Sequence, residues 1–208
     1  MHSNHKRDVV IFDFGGVLID WNPRYLYRKL FGDDEAGMER FLAEVTTPEW
    51  NLQQDAGRPW SEAVTLLTAH HPSQAELIAA YQHRWEETLN GAIDDSLHIL
   101  RELKDAGHPL YGLTNWSQET FPIARERFDF LEWFDGIVVS GEEGTIKPDE
   151  KIYRILLERY DIDPARAVFI DDSQRNVEAA EAFGIHGIHF HAPAQLRAEL
   201  VKLGFLPA

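Results

Sequence analysis

The chain is predicted to fold as an α/β protein in which a parallel sheet carries helices on both faces and one all-helical segment is inserted into it. Three observations predict this. Five short runs of branched and aromatic residues are bounded by turn or polar residues, as strands are. Between the later runs lie segments of helical spacing, and strand alternating with helix means a parallel sheet covered on both sides. The interval from about Trp21 to Asn90 is too long for a simple crossover and shows helical patterning with no good strand, which marks an insertion.

The first strand is Val9 to Phe14. In the insertion, helical stretches run over Asp34 to Val45, Ser61 to Ala69 and Ser73 to Glu87, punctuated by Pro23, Pro48, Pro59 and Pro72. A helix carrying Leu97, Leu100 and Leu103 follows the cap-like Asp94, Asp95 and Ser96 and stops at Gly107. The second strand is Pro109 to Leu113 and the third Gly136 to Ser140. A helix over Asp149 to Tyr160 precedes the fourth strand, Ala167 to Ile170. Another over Ser173 to Phe183, stopped by Gly184, precedes the fifth, Ile185 to Phe190. The division predicted is a core of residues 1–20 and 91–208 and an insert of residues 21–90, without internal repeats or low-complexity stretches.

Composition narrows the function. In 208 residues, 44% are apolar and 26% charged, enough to bury a core, so wholesale disorder is excluded. Thirty-five acids against 20 bases leave a net charge of −15, which repels nucleic acid and anionic membranes alike. An anionic substrate would then need a metal ion or a local basic group to reverse the field at one spot. Cysteine is absent, which removes disulfides, thiolate metal sites and cysteine nucleophiles. No apolar run approaches the roughly 20 residues of a membrane span, and Met1 to Asp8 is polar, unlike a signal peptide. A cytoplasmic protein, monomeric or homodimeric, is the expectation.

Reactive groups sit where an open parallel sheet collects chemistry, at the carboxyl ends of the strands. The first run ends in Asp13, the second in Thr114 and Asn115, the third is followed by Lys147, and the fourth ends in Asp171 and Asp172. An acid after a strand is often only a helix cap. Two carboxylate clusters on neighbouring strand ends, however, repel each other unless a cation lies between them. All-oxygen donors suit Mg²⁺, which accepts substrate oxygens in its remaining positions. Asp13 could then attack phosphorus, with Thr114, Asn115 and Lys147 as donors to the phosphoryl oxygens.

These residues resemble the haloacid dehalogenase superfamily of hydrolases in all four of its motifs. They are Asp13-Phe14-Gly15-Gly16-Val17-Leu18, Leu113-Thr114-Asn115, Ile146-Lys147-Pro148-Asp149 with Ile152-Tyr153, and Phe169-Ile170-Asp171-Asp172 with Asn176. The resemblance implies a Rossmann-like core, a helical cap that closes over the site, and Mg²⁺-dependent hydrolysis of a small phosphorylated metabolite such as a sugar phosphate. Ala56-Gly57-Arg58-Pro59-Trp60-Ser61 is similar to a turn-to-helix entry of such caps. By the same resemblance Asp13 is the nucleophile and a metal ligand, Thr114 and Lys147 hold the phosphoryl group, and Lys147 steadies Asp13. Asp171 and Asp172 hold the metal, Asp172 directly, Gly15 lends its carbonyl, and Asn176 orders the last loop.

One position departs from the family pattern. Where typical phosphatases of the superfamily carry a second acid, this chain has Gly15, and glycine cannot transfer a proton. Asp20 is the nearest substitute, and the alternative reading makes it a cap of the first insert helix. A subset of sugar-phosphate phosphatases in the superfamily shares both the glycine and the aspartate at that offset. Three rival functions are weighed. A dehalogenase would use Asp13 without metal, with Arg24, Arg28, Arg40 and Arg58 as candidates for a substrate carboxylate, but the paired Asp171 and Asp172 argue for Mg²⁺. Phosphonate cleavage would need a cap lysine, and Lys29 is the only one. A non-catalytic binding protein would have little use for the four motifs together. Trp21, Tyr25, Trp60 and Trp116 are read as pocket or core, Trp116 being favoured for the pocket. His186, His189 and His191 are read as a surface or edge set rather than a zinc site.

Overall fold

The computed structural model describes residues 7–207; Met1 to Lys6, most of the polar leading stretch, lie outside them. The strand β1 (Val9–Phe12) is followed by a short β2 (Ile19–Trp21) and five helices, α1 (Arg24–Phe31), α2 (Glu35–Glu44), α3 (Pro48–Asp55), α4 (Trp60–His70) and α5 (Ala75–His83). Then come β3 (Leu89–Ala92), α6 (Asp94–Asp105), β4 (Leu110–Thr114), α7 (Phe121–Arg127), β5 (Gly136–Val139), α8 (Ser140–Glu143) and α9 (Glu150–Arg159). The chain ends through β6 (Ala167–Asp171), α10 (Gln174–Ala182), β7 (His186–His189) and α11 (Pro193–Lys202).

Five strands form one parallel sheet in the order β5-β4-β1-β6-β7. The fold is therefore α/β with a helical insert, and the five apolar runs are its five strands. Because β1 is central and wholly buried, its residues are apolar on both sides, yet the two-residue period still sorts them. Val10 and Phe12 pack with Leu100, Leu103, Leu196 and Leu200, while Val9 and Ile11 pack with Ile152, Tyr153, Leu156 and Ala180. The same alternation divides β6, where Val168 and Ile170 join the first layer and Ala167 and Phe169 the second.

Two features of the insert differ from the sequence reading. β2 and β3 pair antiparallel at its two ends, so Trp21, Leu89 and Asn90 lie in strands where none was expected. Neither strand has an apolar run to announce it, since three or four residues cannot show a period. Helix α3 was also unread, and α1 was anticipated only as the helix that Asp20 would cap, without bounds. In α3, Thr47 accepts the Trp50 N–H at 3.1 Å and Pro48 occupies the first turn, so the proline opens a helix rather than merely ending one. The insert has its own aromatic core: Tyr27 lies 5.0 Å from Phe41, and Trp60 lies 5.2 Å from Tyr81.

Candidate active site

A parallel sheet brings all its carboxyl ends to one edge, and the central place of β1 between β4 and β6 decides which residues meet there. Asp13 directly follows β1, Thr114 closes β4 and Asp171 closes β6. Lys147, on the loop between α8 and α9, reaches into the same crevice. Its ammonium is 2.9 Å from Asp13 Oδ1 and 2.6 Å from Asp171 Oδ2, with the lysine side chain 1% exposed. Burial pushes that ammonium's pKa down, but Asp13 and Asp171 outweigh it and hold it above the usual lysine value. Burial likewise pushes the Asp13 carboxyl upward, partly offset by Lys147, and Asp171 and Asp172 add to the upward push.

The hydrogen bonds assign different duties to the three acids. Asp13 Oδ1 accepts from the Phe14 N–H at 2.7 Å as well as from Lys147, while Oδ2 takes no hydrogen bond among the described residues. Asp171, fully buried, is saturated: Oδ1 accepts from Ser173 N–H at 2.8 Å and from Asn176 at 3.0 Å, Oδ2 from Lys147 and from Asn176 at 3.1 Å. Asn176 is thus not a plain helix-face amide; it reaches back from the first turn of α10 onto Asp171. Asp172 stands exposed, and its carboxylate meets its own backbone N–H. Partial desolvation and Asp171 push its pKa up. Gly16 makes room for it, because at φ 74° a Cβ there would stand 2.3 Å from Asp172 Oδ2.

Ligand atoms of Asp13, Asp171 and Asp172 lie within 4.8 Å of one another. Three hard oxygen donors, with only one lysine to balance them, fit Mg²⁺. The buried Thr114 hydroxyl has no partner among the described residues, a donor left over for an anion at the same place.

Two residues do different work from that expected. The Asn115 side chain, read as a phosphate donor, instead clamps the backbone of Lys147: its Nδ2 donates to the Lys147 carbonyl at 3.0 Å and its Oδ1 accepts the Lys147 N–H at 2.7 Å. It positions the lysine. Asp20, read as a substitute acid or a helix cap, does not cap α1. It lies in β2, where Tyr25 Oη donates to both of its oxygens at 2.9 and 2.8 Å and Asn90 donates at 2.9 Å. The first turn of α1 is instead served by Asn22, which accepts the Arg24 N–H. Gly15 is left open, since a Cβ built there would meet nothing within 4 Å.

Other residues were missed from sequence. The insert is fastened beside the crevice by Asp55 at the end of α3, whose carbonyl accepts from the Ser140 hydroxyl at 2.5 Å. Burial pushes the Asp55 carboxyl up to about 7, although Ser117 N–H and Asn51 donate to it. Trp60 N–H donates to Glu119 at 2.9 Å in the same seam. His189 does lie on an edge strand, yet its Nε2 is 3.0 Å from the Asp172 carbonyl, a contact no local pattern could announce. Trp116 is both core and wall: it packs 5.4 Å from Trp85 and lines a cavity of about 590 Å³ over Gly15 and Asn115. Trp21 lines that cavity too, whereas Trp60 belongs to the aromatic core of the insert.

Comparison with known proteins agrees with this geometry. A family model described as haloacid dehalogenase-like hydrolase matches residues 7–184. A sesquiterpene phosphatase of Aspergillus oryzae is 30% identical over 181 residues, covering 86% of this chain and 87% of that protein. A phosphorylated carbohydrates phosphatase of Thermotoga maritima is 26% identical over 187 residues, covering 88% and 84%. Among solved structures, a HAD family enzyme of Bacteroides thetaiotaomicron in complex with magnesium and inorganic phosphate shares the fold, with a TM-score of 0.67 at 22% identity over 89% of this chain and 95% of that one. No helix among the described residues is long and apolar enough to cross a membrane.

Proposed function

The chain belongs to the haloacid dehalogenase-like hydrolases, and from that premise we propose that it is a Mg²⁺-dependent phosphomonoester hydrolase working through an aspartyl-phosphate on Asp13. The observation that carries the proposal is the pairing, in one crevice, of an acid cluster suited to a hard cation with an unpartnered buried Thr114 hydroxyl and the Lys147 ammonium. Relatives named as phosphatases of a sesquiterpene and of phosphorylated carbohydrates support the reaction class.

Asp13, Asp172 and the Gly15 carbonyl would hold the Mg²⁺. When bound, the cation supplies positive charge to the phosphoryl oxygens and offsets the repulsion among the acids. Asp13 attacks phosphorus through one carboxylate oxygen and faces the cation with the other, while Lys147 and Phe14 N–H hold Oδ1 and so fix the direction of the carboxylate. The phosphorus–ester oxygen bond breaks, and the leaving oxygen departs with the bonding electron pair and takes its proton from solvent water. Thr114 Oγ1 and Lys147 Nζ donate to the charge that gathers on the phosphoryl oxygens. Water then attacks phosphorus, releasing phosphate and restoring Asp13. Asp171 keeps Lys147 in place and adds its charge to the acid cluster that faces the cation. The insert acts as a cap, closing the crevice through the Asp55 seam.

Tyr25 and Asn90 hydrogen-bond the carboxylate of Asp20, the nearest acid after Asp13 in the chain. With Gly15 offering no acid, esters whose alcohol leaves without a proton should be the faster substrates. Phosphate release from p-nitrophenyl phosphate, with and without Mg²⁺, tests the proposal. Equal rates for the wild type and Asp13→Asn would end it.

A further inference from the structure

We propose that the cavity beside the crevice takes the organic part of the substrate and that this part is a long apolar chain, so that the substrate class is the monophosphate of an apolar alcohol. The inference rests on the phosphatase reading only for where the phosphate sits. The cavity measures about 590 Å³ and opens onto Gly15 and Asn115, at the floor next to Asp13. At about 30 Å³ for a water-sized unit it holds on the order of 20 of them, ample room for an alkyl chain of about ten carbons beyond the phosphate.

Two helices of the insert each give it one face. From α2 and its continuation come Glu39, Leu42, Ala43 and Thr46; from α3 come Pro48, Asn51, Leu52 and Asp55. Both sets follow the i, i+3, i+4, i+7 spacing of a single helical stripe. The opposite wall is aromatic, with Trp21, Tyr81, Trp85 and Trp116.

The charged groups on this wall are already satisfied. Arg24 and Glu39 bind each other twice, at 2.6 and 2.7 Å. Asp55 is held by Asn51, and Asn115 by the backbone of Lys147. The spare buried atoms are Thr46 Oγ1, Asn51 Oδ1 and Trp116 Nε1. That is too few for the hydroxyls of a sugar, each of which would lose water without gaining a partner. A hydrocarbon chain needs no such partners, and each methylene buried favours binding by about three- to fourfold.

Calorimetric binding of alkylphosphonates from ethyl to decyl in the presence of Mg²⁺ tests this, alongside hydrolysis of the matching alkyl phosphates and glucose 6-phosphate. The dissociation constant should fall about three- to fourfold per methylene until the cavity is full, with a heat-capacity change that grows more negative. Leu52, 36% exposed at the mouth, tolerates Leu52→Glu, which should weaken decylphosphonate at least tenfold and leave ethylphosphonate within twofold. Ala43→Trp, also at an exposed position, should lower the chain length at which tightening stops. A series without length dependence overturns the proposal. So does glucose 6-phosphate outpacing decyl phosphate in kcat/KM, or a series that neither variant alters. Length-dependent binding with no ester hydrolysed would sink the phosphatase reading while leaving this assignment standing.

Discussion

At the strand ends, four charged side chains crowd together; in the cavity that Gly15 and Asn115 also line, the wall is tryptophan, leucine and proline with its few charges paired off. The crevice is held by Coulomb attraction and short hydrogen bonds among Lys147, Asp13 and Asp171. The cavity is held open by packing of the insert's helices on an aromatic core. On the proposed reading, one region drives the bond cleavage and the other chooses which ester arrives. The contrast separates reaction from selection, and substitutions can test that separation.

The largest effect should come from Asp13→Asn, which removes the nucleophile: steady-state phosphate release should fall about 10⁴-fold or more. Calorimetric affinity for decylphosphonate should meanwhile stay within about tenfold, because the chain binds elsewhere. If affinity fell as far as turnover, the two regions would not be separable.

Lys147→Met should be next. It leaves the Asp13 and Asp171 carboxyls buried without their counter-charge, which typically costs about 3–5 kcal/mol. Urea unfolding should show that loss, and added Mg²⁺ should restore part of it by supplying the missing positive charge.

Asp55 sharpens the comparison from the insert's side. Its carboxyl titrates at about 7 when folded, against 3.8 for the ordinary group, because burial disfavours the charge. Below the lower value both states are protonated and there is no penalty. As pH rises through the interval, the unfolded chain gives up its proton first, so stability is lost, by at most about 1.4 kcal/mol per pH unit. Asp55→Asn removes this titration, so its stability relative to wild type should rise between pH 4 and 7 and level off above. Parallel urea titrations of the two proteins across that range would refute the assignment if their difference did not change.

The smallest effect should be that of Asn176→Ala. It deprives Asp171 of one donor to both oxygens, so kcat should fall about tenfold with KM little changed, as for partners one step behind the reacting groups. A change in KM alone would place Asn176 with selection instead.

The main sheet was legible because its strands are short apolar runs bounded by polar residues, and parallel order follows from the helices between them. The crevice was legible because parallel strands must bring Asp13, Thr114 and Asp171 to one edge wherever their side chains point. β2 and β3 were not, being too short to carry a period. Nor was the exchange of roles between neighbours: Asn115 and Asp20 have the right chemistry at the right offsets, and only distant partners, Lys147 for one and Tyr25 with Asn90 for the other, decide what their side chains do.

By itself the sequence determined the α/β order, the site of the insertion and the set of groups available for phosphoryl transfer, because these depend on local pattern and on the carboxyl-end rule. Tertiary structure alone decided that Asp171 serves Lys147, that Asp172 is the acid left exposed, and that one face of α2 meets one face of α3 across an apolar cavity. A helical stripe shows in the sequence which residues share a side. What that side faces depends on how the helices pack, and contacts between residues far apart in the chain leave no local trace.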